Sequence, residues 1–217
     1  MATNIKTWEI IENRLSPIET TLADNNRKET EHLENWIKTK PEILGTDILV
    51  IGEQVYTKSG PLDFLAIDNN GNIVVVELKR DRLARVVLAQ AIDYASDLST
   101  WDIDKLSEVC MSYTGNSLED HIAENFEDIE IDDLTINQTQ RLLLVGFSIE
   151  ESLNRMIEWL SSNFDLSINA IILNYVKTSN GTELLSRTVT IPEEIAKEKT
   201  SKKKFKIEMS DDPGEYE

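Results

Sequence analysis

Three charged side chains stand inside two apolar segments of this chain, and their spacing predicts a divalent-metal site. The stretch from Gly60 to Lys79 holds two apolar runs joined by Asp-Asn-Asn-Gly-Asn, a turn sequence that predicts a β-hairpin. Asp63 lies in the first run, and Glu77 and Lys79 lie in the second. Because side chains alternate along a strand, Glu77 and Lys79 share one face, and Asp63 on the partner strand would add a second carboxylate. Buried charges need partners or a metal, and this set is typical of a Mg²⁺ or Mn²⁺ site with a basic group beside it.

The order of motifs around these residues resembles the PD-(D/E)xK nuclease superfamily and, within it, the catalytic domain of NucS-type endonucleases. The motif stands here as Pro-Leu-Asp ending at Asp63 and Glu-Leu-Lys ending at Lys79. A helix with glutamate precedes it, and a helix with glutamine and tyrosine follows. The likeness runs from about Glu29 to Leu98 and, more faintly, to the region of Ile191. A lone Glu-x-Lys triplet is a weak signal, whereas the whole order is far more specific.

The resemblance implies a restriction-endonuclease-like α/β fold, a mixed sheet flanked by helices. The pattern along the chain agrees, because helix, three strands, helix, strand, helix and a strand pair are typical of such a sheet. We expect a helical arm over residues 1–28, a PD-(D/E)xK nuclease-like domain over 29–195 and a charged flexible tail over 196–217. Pro17 interrupts the apolar stripe of the arm.

Apolar periodicity predicts the individual elements of the domain. Helices are expected at about 29–38, 82–99 and 102–127, the last broken near Gly115, and strands at 47–57 and 141–147. Ser148 begins a Ser-Ile-Glu-Glu sequence that predicts the capped start of another helix. The final strand pair is expected at Ile168–Val176 and Leu184–Ile191.

Each residue of the motif has a candidate role. Asp63 and Glu77 would bind Mg²⁺ or Mn²⁺, and the resemblance implies that the backbone carbonyl of Leu78 adds a ligand. An ion there would activate water and stabilise charge on the attacked phosphate. Lys79 would orient the attacking water or stabilise the developing charge. The alternative is a lattice of charges on an exposed face, with a surface Lys79 paired to Glu77 or Asp81.

Two helices are expected to complete the catalytic site. Glu34 borders an apolar stripe on the first helix and could reach the adjoining sheet. Glu31 is the competing candidate for this position. The alternative is that Glu34 is an ordinary glutamate on the solvent-facing side of the helix. Gln90 is a polar residue on the apolar stripe of the helix after the hairpin, and Tyr94 follows one turn later. The resemblance implies that Gln90 contacts the lysine or the phosphate, against an alternative of a satisfied core glutamine. Tyr94 is a candidate contact for nucleic acid.

The net charge of −18 opposes a nucleic-acid partner, because phosphate contacts usually need a basic patch. Charged residues are unevenly distributed along the sequence, however, and the motif is closely followed by Arg80, Arg82 and Arg85. Guanidinium groups bind phosphate in a bidentate fork, so these three are candidate DNA contacts, against an alternative of local pairing between Asp81 and Arg85. A second basic run covers residues 197–206. We expect a local positive groove and weak non-specific affinity for DNA.

We therefore predict a metal-dependent DNA endonuclease that hydrolyses phosphodiester bonds and leaves a 5′-phosphate, as the resemblance implies. Cutting both strands at once needs two sites, so a homodimer is expected. NucS-type enzymes carry a separate DNA-binding and dimerising domain where this chain has a short arm, so a targeting partner or additional domain is also expected. The acidic surface favours an alternative, a non-catalytic nucleic-acid-binding or regulatory module. A carboxylate-pair glycosidase is a third possibility.

Composition limits the kinds of cross-link, metal site and cellular location that this protein can have. The single cysteine, Cys110, excludes an internal disulfide, and two histidines with one cysteine cannot form the usual four-ligand zinc site. No apolar run is long enough to span a bilayer, and the N-terminal residues lack the blocks of a signal peptide. We expect a cytoplasmic protein with no membrane contact. Trp36 and Trp101 could stack on bases. The alternatives are that Trp36 belongs to the core and that Trp101 lies at the start of a helix.

Overall fold

Strands and helices of the chain are arranged around one large sheet. The computed structural model describes residues 5–18, 32–127, 129, 131 and 134–192. The strands are β1 (Thr7–Ile11), β2 (Arg14–Ile18), β3 (Ile48–Thr57), β4 (Gly60–Asp68), β5 (Ile73–Leu78), β6 (Arg82–Leu83), β7 (Gln140–Gly146), β8 (Ser148–Ile149), β9 (Ile168–Lys177) and β10 (Glu183–Val189). The α-helices are α1 (Glu34–Thr39), α2 (Arg85–Leu98), α3 (Ile103–Thr114), α4 (Leu118–Asn125) and α5 (Glu151–Phe164). Within the described residues, no helix is long and apolar enough to cross a membrane.

The sheet has six strands in the order β10-β9-β7-β5-β4-β3. Strand β4 runs antiparallel to its neighbours β3 and β5, the strands β5, β7 and β9 run parallel, and β10 returns antiparallel to β9. All six residues of β5 are buried, as expected for a central strand covered on both faces. The predicted α/β class, a mixed sheet flanked by helices, is confirmed.

Helices cover both faces of the sheet. Helices α2, α3, α4 and α5 pack on one face, and α1 packs on the other. The side chains of β5 alternate between these layers, with Ile73 and Val75 facing the first and Val74 and Val76 facing the second. By the same alternation, Glu77 faces the layer of α2 to α5.

The turn between β4 and β5 fixes the register of the hairpin that carries the motif. Oδ1 of Asp68 accepts the backbone N–H groups of Asn70 at 2.9 Å and Asn72 at 3.0 Å. Gly71 has a φ of 84°, and a Cβ there would lie 3.0 Å from the carbonyl oxygen of Thr135. This aspartate-capped glycine turn is the one that the Asp-Asn-Asn-Gly-Asn sequence predicts.

Residues 7–18 form a hairpin, so the predicted helical arm is wrong there. Strand β1 pairs antiparallel with β2 across Glu12 and Asn13, whose φ angles are 47° and 62°. Two positive φ angles are what a two-residue hairpin turn requires. Pro17 is tolerated because a two-stranded ribbon leaves one edge of each strand open. The hydroxyl of Ser179 donates to Glu9 at 2.9 Å, which ties the hairpin to the β9–β10 turn. Residues 1–4 and 19–28 of the expected arm and the expected tail over residues 196–217 lie outside the described part.

The predicted helix cap at Ser148 is also wrong. Ser148 and Ile149 form β8, which pairs in parallel with Arg82 and Leu83 of β6. Helix α5 therefore starts at Glu151, after an N-cap residue, Glu150, whose side chain makes no capping bond. The same pairing delays the start of α2, which was expected at residue 82 and begins at Arg85. Distant backbone pairing here overrides a local capping preference.

The thiol of Cys110 is expected to react slowly in the folded protein. Cys110 is fully buried, and its Sγ lies 3.6 Å from Oγ1 of Thr114. Burial raises the pKa of the thiol. A raised pKa leaves less of the nucleophilic thiolate at any given pH. Labelling with a colorimetric disulfide reagent should be slow in native buffer and fast in guanidinium. Rapid stoichiometric labelling of the native protein would contradict this placement.

Candidate active site

Strands β4 and β5 separate at the end of the hairpin that carries the motif. Their ladder ends at the pair Phe64 and Val76. Beyond it, the backbone N–H of Leu78 donates to Oδ2 of Asp63 at 2.8 Å. A carboxylate thus takes the place of the next backbone acceptor, which satisfies the N–H in a partly buried setting. The structure therefore brings Asp63 to the Glu77–Lys79 segment, as the spacing predicts.

Glu77 and Lys79 form a close ion pair at this opening. Nζ of Lys79 lies 2.6 Å from Oε1 of Glu77, as expected for alternate residues on one face of a strand. The side chain of Glu77 is 2% exposed and that of Lys79 is 32% exposed. Solvent ions screen such a pair much less than they screen a surface pair.

Gln54 joins Asp63 to the helix on the other face of the sheet, and sequence reasoning missed it. Its Nε2 lies 3.2 Å from Oδ1 of Asp63 and 3.2 Å from Oε1 of Glu34. Glu34 is the first residue of α1 and is 6% exposed. The structure thus brings Glu34 toward Asp63 through one amide, whereas its competitor Glu31 lies outside the described residues.

An irregular stretch of β3 places Gln54. The register against β4 shifts by one residue between Val50 and Gly52, and Gln54 has a φ of 48°. Bulges of this kind re-aim side chains next to functional sites. The only sequence signal is a polar residue after Gly52 in a run of strand formers, which is too weak to identify it.

The carboxyl of Asp63 is under opposing influences. Burial raises its pKa above the usual value, whereas the Leu78 N–H, the charge of Lys79 and the Gln54 amide lower it. The ammonium of Lys79 therefore acts on both Asp63 and Glu77. Glu34, Gln54, Asp63, Lys79 and Glu77 form one connected polar group at the opening between β4 and β5.

Gln90 and Tyr94 support this group from α2. Nε2 of Gln90 donates to the Tyr94 hydroxyl at 3.0 Å, and that hydroxyl donates to the carbonyl of Pro61 at 2.8 Å. The contact fixes β4 two residues before Asp63. Tyr94 is 2% exposed. Such burial favours a supporting role for Tyr94 over the predicted contact with nucleic acid.

The three arginines after the motif lie at the surface. Arg80, Arg82 and Arg85 are exposed, and they occupy the link after β5, strand β6 and the first position of α2. Arg80 pairs with Asp81 at 3.3 Å. Exposed guanidinium groups at these positions lie outside the core and are accessible to a phosphate backbone.

The donor atoms at this opening suit a hard divalent cation. Asp63, Glu77 and the Leu78 carbonyl offer oxygen atoms only. The N–H of Leu78 faces Asp63, and the N–H and C=O of one strand residue face the same side, so the carbonyl faces the opening too. In the described part of the chain, no group of three or more histidine, cysteine, aspartate or glutamate side chains is placed to hold a metal. An ion here would complete its coordination with water, as Mg²⁺ commonly does.

One known endonuclease resembles part of this chain. Over 59 residues the chain is 41% identical to Endonuclease NucS of Aeropyrum pernix, a segment that covers 27% of this chain and 23% of that protein. The chain thus spans about a quarter of the relative that it matches. This match confirms the resemblance to NucS-type endonucleases that the motif order predicts. No protein-family model matches the chain.

Two solved structures also show partial similarity. A repair endonuclease from Pyrococcus abyssi superposes with a TM-score of 0.36 at 20% identity, over 61% of this chain and 43% of that one. A structure of an EndoMS–dsDNA complex superposes with a TM-score of 0.38 at 18% identity, over 64% of this chain and 42% of that one. The sequence match, rather than these superpositions, links this chain to an endonuclease.

Proposed function

We propose that this protein is a divalent-metal-dependent DNA endonuclease. The observation that carries the proposal is the meeting of Asp63, Glu77 and Lys79 where β4 and β5 separate. Two carboxylates with an ammonium beside them suit a metal and a phosphate, whereas a glycosidase needs no such cation. The segment match to an endonuclease supports the same reaction class.

Asp63, Glu77 and the Leu78 carbonyl would hold Mg²⁺ or Mn²⁺. The ion, when bound, would supply positive charge that activates water and stabilises charge on the attacked phosphate. The protein contributes a preset arrangement of oxygen atoms: Leu78 and Gln54 hold the Asp63 carboxylate in place through two hydrogen bonds. Ordered ligands of this kind reduce the reorganisation that the reaction requires.

Lys79 would supply the basic group of the site. Its ammonium is partly exposed, so it reaches both the Glu77 carboxylate and a phosphate that enters from solvent. In that position it orients the attacking water and stabilises charge on the non-bridging oxygens. Attack in line with the leaving 3′ oxygen yields a 5′-phosphate.

The remaining candidate residues would position this group or contact DNA. Glu34 acts through Gln54, and Gln90 acts through Tyr94 and Pro61, so neither touches the reacting atoms in this arrangement. Arg80, Arg82 and Arg85 would bind phosphates on either side of the cleaved bond. A homodimer, a targeting partner or an additional domain, and a cytoplasmic location stay predictions.

Cleavage assays test this proposal directly. Supercoiled plasmid and branched, flapped and mismatched oligonucleotides are incubated at low salt with Mg²⁺, Mn²⁺ or EDTA. We expect nicking or cleavage with either metal and none with EDTA. No cleavage of any substrate, together with no calorimetric binding of Mn²⁺, would leave the non-catalytic binding module that the acidic surface favours.

Replacing Gln54 by methionine should weaken metal binding by about 10- to 100-fold, the usual effect of removing a group that orients a ligand. Methionine keeps the length of the side chain but cannot donate to Glu34 or Asp63. Isothermal titration with Mn²⁺ measures the change. Gln138→Met is the matched control, because Gln138 is exposed before β7, at the opposite end of the sheet. Equal affinity for Mn²⁺ in both variants would show that the amide orients nothing.

A further inference from the structure

Strands β1 and β2 form a two-stranded ribbon with one apolar face. Trp8 lies opposite Pro17, and Ile10 lies opposite Leu15. Opposite residues share a face, and alternation along each strand places all four on the same side, which we call the apolar ribbon face. Its side chains are exposed: Trp8 by 49%, Ile10 by 72% and Leu15 by 70%. A contiguous exposed apolar patch of this kind indicates a binding surface.

The other face of the ribbon attaches it to the large sheet. Oγ1 of Thr7 accepts a hydrogen bond from Nδ2 of Asn174 at 3.2 Å. The carboxylate of Glu9 accepts the hydroxyl of Ser179 at 2.9 Å and its backbone N–H at 3.2 Å. Because these contacts use the polar face, the apolar ribbon face is directed to solvent.

The ribbon lies at the same end of the sheet as the candidate active site. Leu78, Val145 and Ile171 are aligned across β5, β7 and β9. Neighbouring strands are about 4.8 Å apart, so Ile171 lies about 10 Å from Leu78. Asn174, which contacts the ribbon, follows Ile171 toward the C-terminal end of β9. A segment bound to the apolar ribbon face would therefore lie at the active-site end.

The C-terminal segment of the same chain has the sequence pattern of a strand with one apolar side. Residues 193–217 lie outside the described residues, and within them Phe205, Ile207 and Met209 alternate with charged residues. In an extended conformation these three side chains would share one side. Residues 197–206 contain six lysines and one glutamate, on a chain whose net charge is −18 in spite of them. Opposite charge therefore favours contact between this segment and the rest of the protein.

The C-terminal segment is long enough to reach the ribbon. The backbone N–H of Ile191 donates to Oδ1 of Asn169 at 2.9 Å. From Asn169 to Asn174, where the ribbon begins, the distance along β9 is about 16 Å. The stretch from Pro192 to Phe205 can span up to about 45 Å when extended, so it covers this distance with room to spare.

The size of the apolar ribbon face favours a segment of the same chain over a second copy. The face exposes on the order of 400 Å², whereas each partner of a stable dimer buries about 800 Å². A tethered segment needs less area, because its effective concentration lies in the millimolar range.

We propose that the C-terminal segment packs Phe205, Ile207 and Met209 on the apolar ribbon face. This packing brings the lysines of residues 197–206 to the active-site end of the sheet, where they add positive charge to an acidic protein. The packing does not depend on the proposed nuclease function, whereas a role of these lysines in binding DNA phosphates rests on it.

Fluorine NMR of the full chain tests the packing. The protein is labelled with 5-fluorotryptophan, and the resonance of Trp8 is assigned by its loss in Trp8→Phe. In the triple-serine variant Phe205→Ser/Ile207→Ser/Met209→Ser, a soluble nitroxide should broaden this resonance at least about twofold more than in the wild type, because the indole is no longer covered. Ile195→Ser should behave like the wild type, because it removes an apolar residue of the same segment outside the alternating set.

Three outcomes would overturn the packing. The first is equal broadening of the Trp8 resonance in the wild type and the triple-serine variant, and the second is the same increase in Ile195→Ser. The third is protection of Trp8 only at protein concentrations where light scattering detects a dimer, because a second copy would then cover the ribbon.

DNA binding without metal tests the role of the lysines. The triple-serine variant keeps every lysine, yet in EDTA it should bind a labelled duplex about three- to tenfold more weakly, because the lysines are no longer held in place. Equal duplex affinity in a variant whose Trp8 has become accessible would overturn the placement of the lysines. A wild type that protects Trp8 but cleaves nothing with Mg²⁺ or Mn²⁺ would refute the proposed nuclease function alone.

Discussion

Asp63→Asn is expected to abolish metal-dependent cleavage and to weaken Mn²⁺ binding beyond detection. The substitution keeps the shape of the side chain, and its single amide oxygen can accept one of the two hydrogen bonds that Gln54 and Leu78 donate to separate oxygen atoms of Asp63. It removes the negative charge that a hard divalent cation needs, in a site where Glu77 is the other carboxylate. Plasmid nicking and isothermal titration measure the two effects. Nicking by Asp63→Asn at the wild-type rate would show that the activity does not arise at this site.

Lys79→Met should separate metal binding from catalysis. Cleavage should fall by roughly 10²–10³-fold, the usual effect of removing a group that stabilises transition-state charge. Metal affinity should rise instead, because the ammonium that lies 2.6 Å from Glu77 and acts on Asp63 repels a cation. A variant that binds Mn²⁺ more tightly and cleaves less is a signature that simple unfolding cannot produce.

A matched lysine controls for general loss of charge. Lys177 pairs with Glu183 at 3.6 Å across β9 and β10, with a similar partly exposed side chain. Lys177→Met should leave both cleavage and Mn²⁺ binding unchanged. Because Glu77 is buried, Lys79→Met should also lower thermal stability, so its cleavage must be measured well below its own unfolding temperature. Weaker Mn²⁺ binding by folded Lys79→Met would contradict the assigned arrangement.

The parts of the site that sequence reasoning identified are those set by local structure. The turn at Asp68–Asn72 fixes one hairpin, and that hairpin alone brings Asp63 to Glu77 and Lys79. The alternation of side chains then follows from strand geometry. Short-range patterns of this kind are readable because every residue involved lies within one supersecondary unit.

The features of the fold and the site that sequence reasoning missed depend on contacts between residues that are distant in the sequence. Gln54 enters the site only because a bulge in β3 re-aims it toward a carboxylate on β4 and another on α1. Ser148 has a capping sequence but pairs with Arg82 in a parallel strand pair instead. Residues 7–18 show a partial helical stripe, yet they form a hairpin against the β9–β10 turn. In each case tertiary pairing overrides a local preference.

Arg141 also makes its contacts with residues that are distant in the sequence. Its replacement should lower the free energy of unfolding more than the other substitutions. Its Nη1 lies 2.7 Å from Oδ2 of Asp47 and 3.6 Å from Oδ2 of Asp68. All three side chains are buried, in a cluster that joins β7 to the segment before β3 and to the end of β4. Arg141→Met leaves two buried carboxylates without their cation, which costs about 3–5 kcal/mol of unfolding free energy. Urea denaturation measures the loss.

A compensating variant distinguishes charge from packing. In Arg141→Met/Asp47→Asn/Asp68→Asn the cation and both carboxylates are removed together, so most of the stability should return. Arg155→Met is the matched surface control, because Arg155 lies on an exposed position of α5. Persistent destabilisation of the triple variant would assign the loss to packing of the arginine stem rather than to unpaired charge.

The stability lost by Arg141→Met should depend on pH with a defined sign. Burial raises the pKa of Asp68 above its usual value, and Arg141 is among the neighbours that lower it, so the pKa rises further in the variant. A folded-state pKa above the unfolded value gives stability that is present at low pH and lost as the pH rises through the folded pKa. The deficit relative to the wild type should therefore be smallest near the ordinary pKa of an aspartate, about 4, and grow as the pH rises above it. A deficit independent of pH over that range would mean that Asp68 does not gain a proton when its cation is removed.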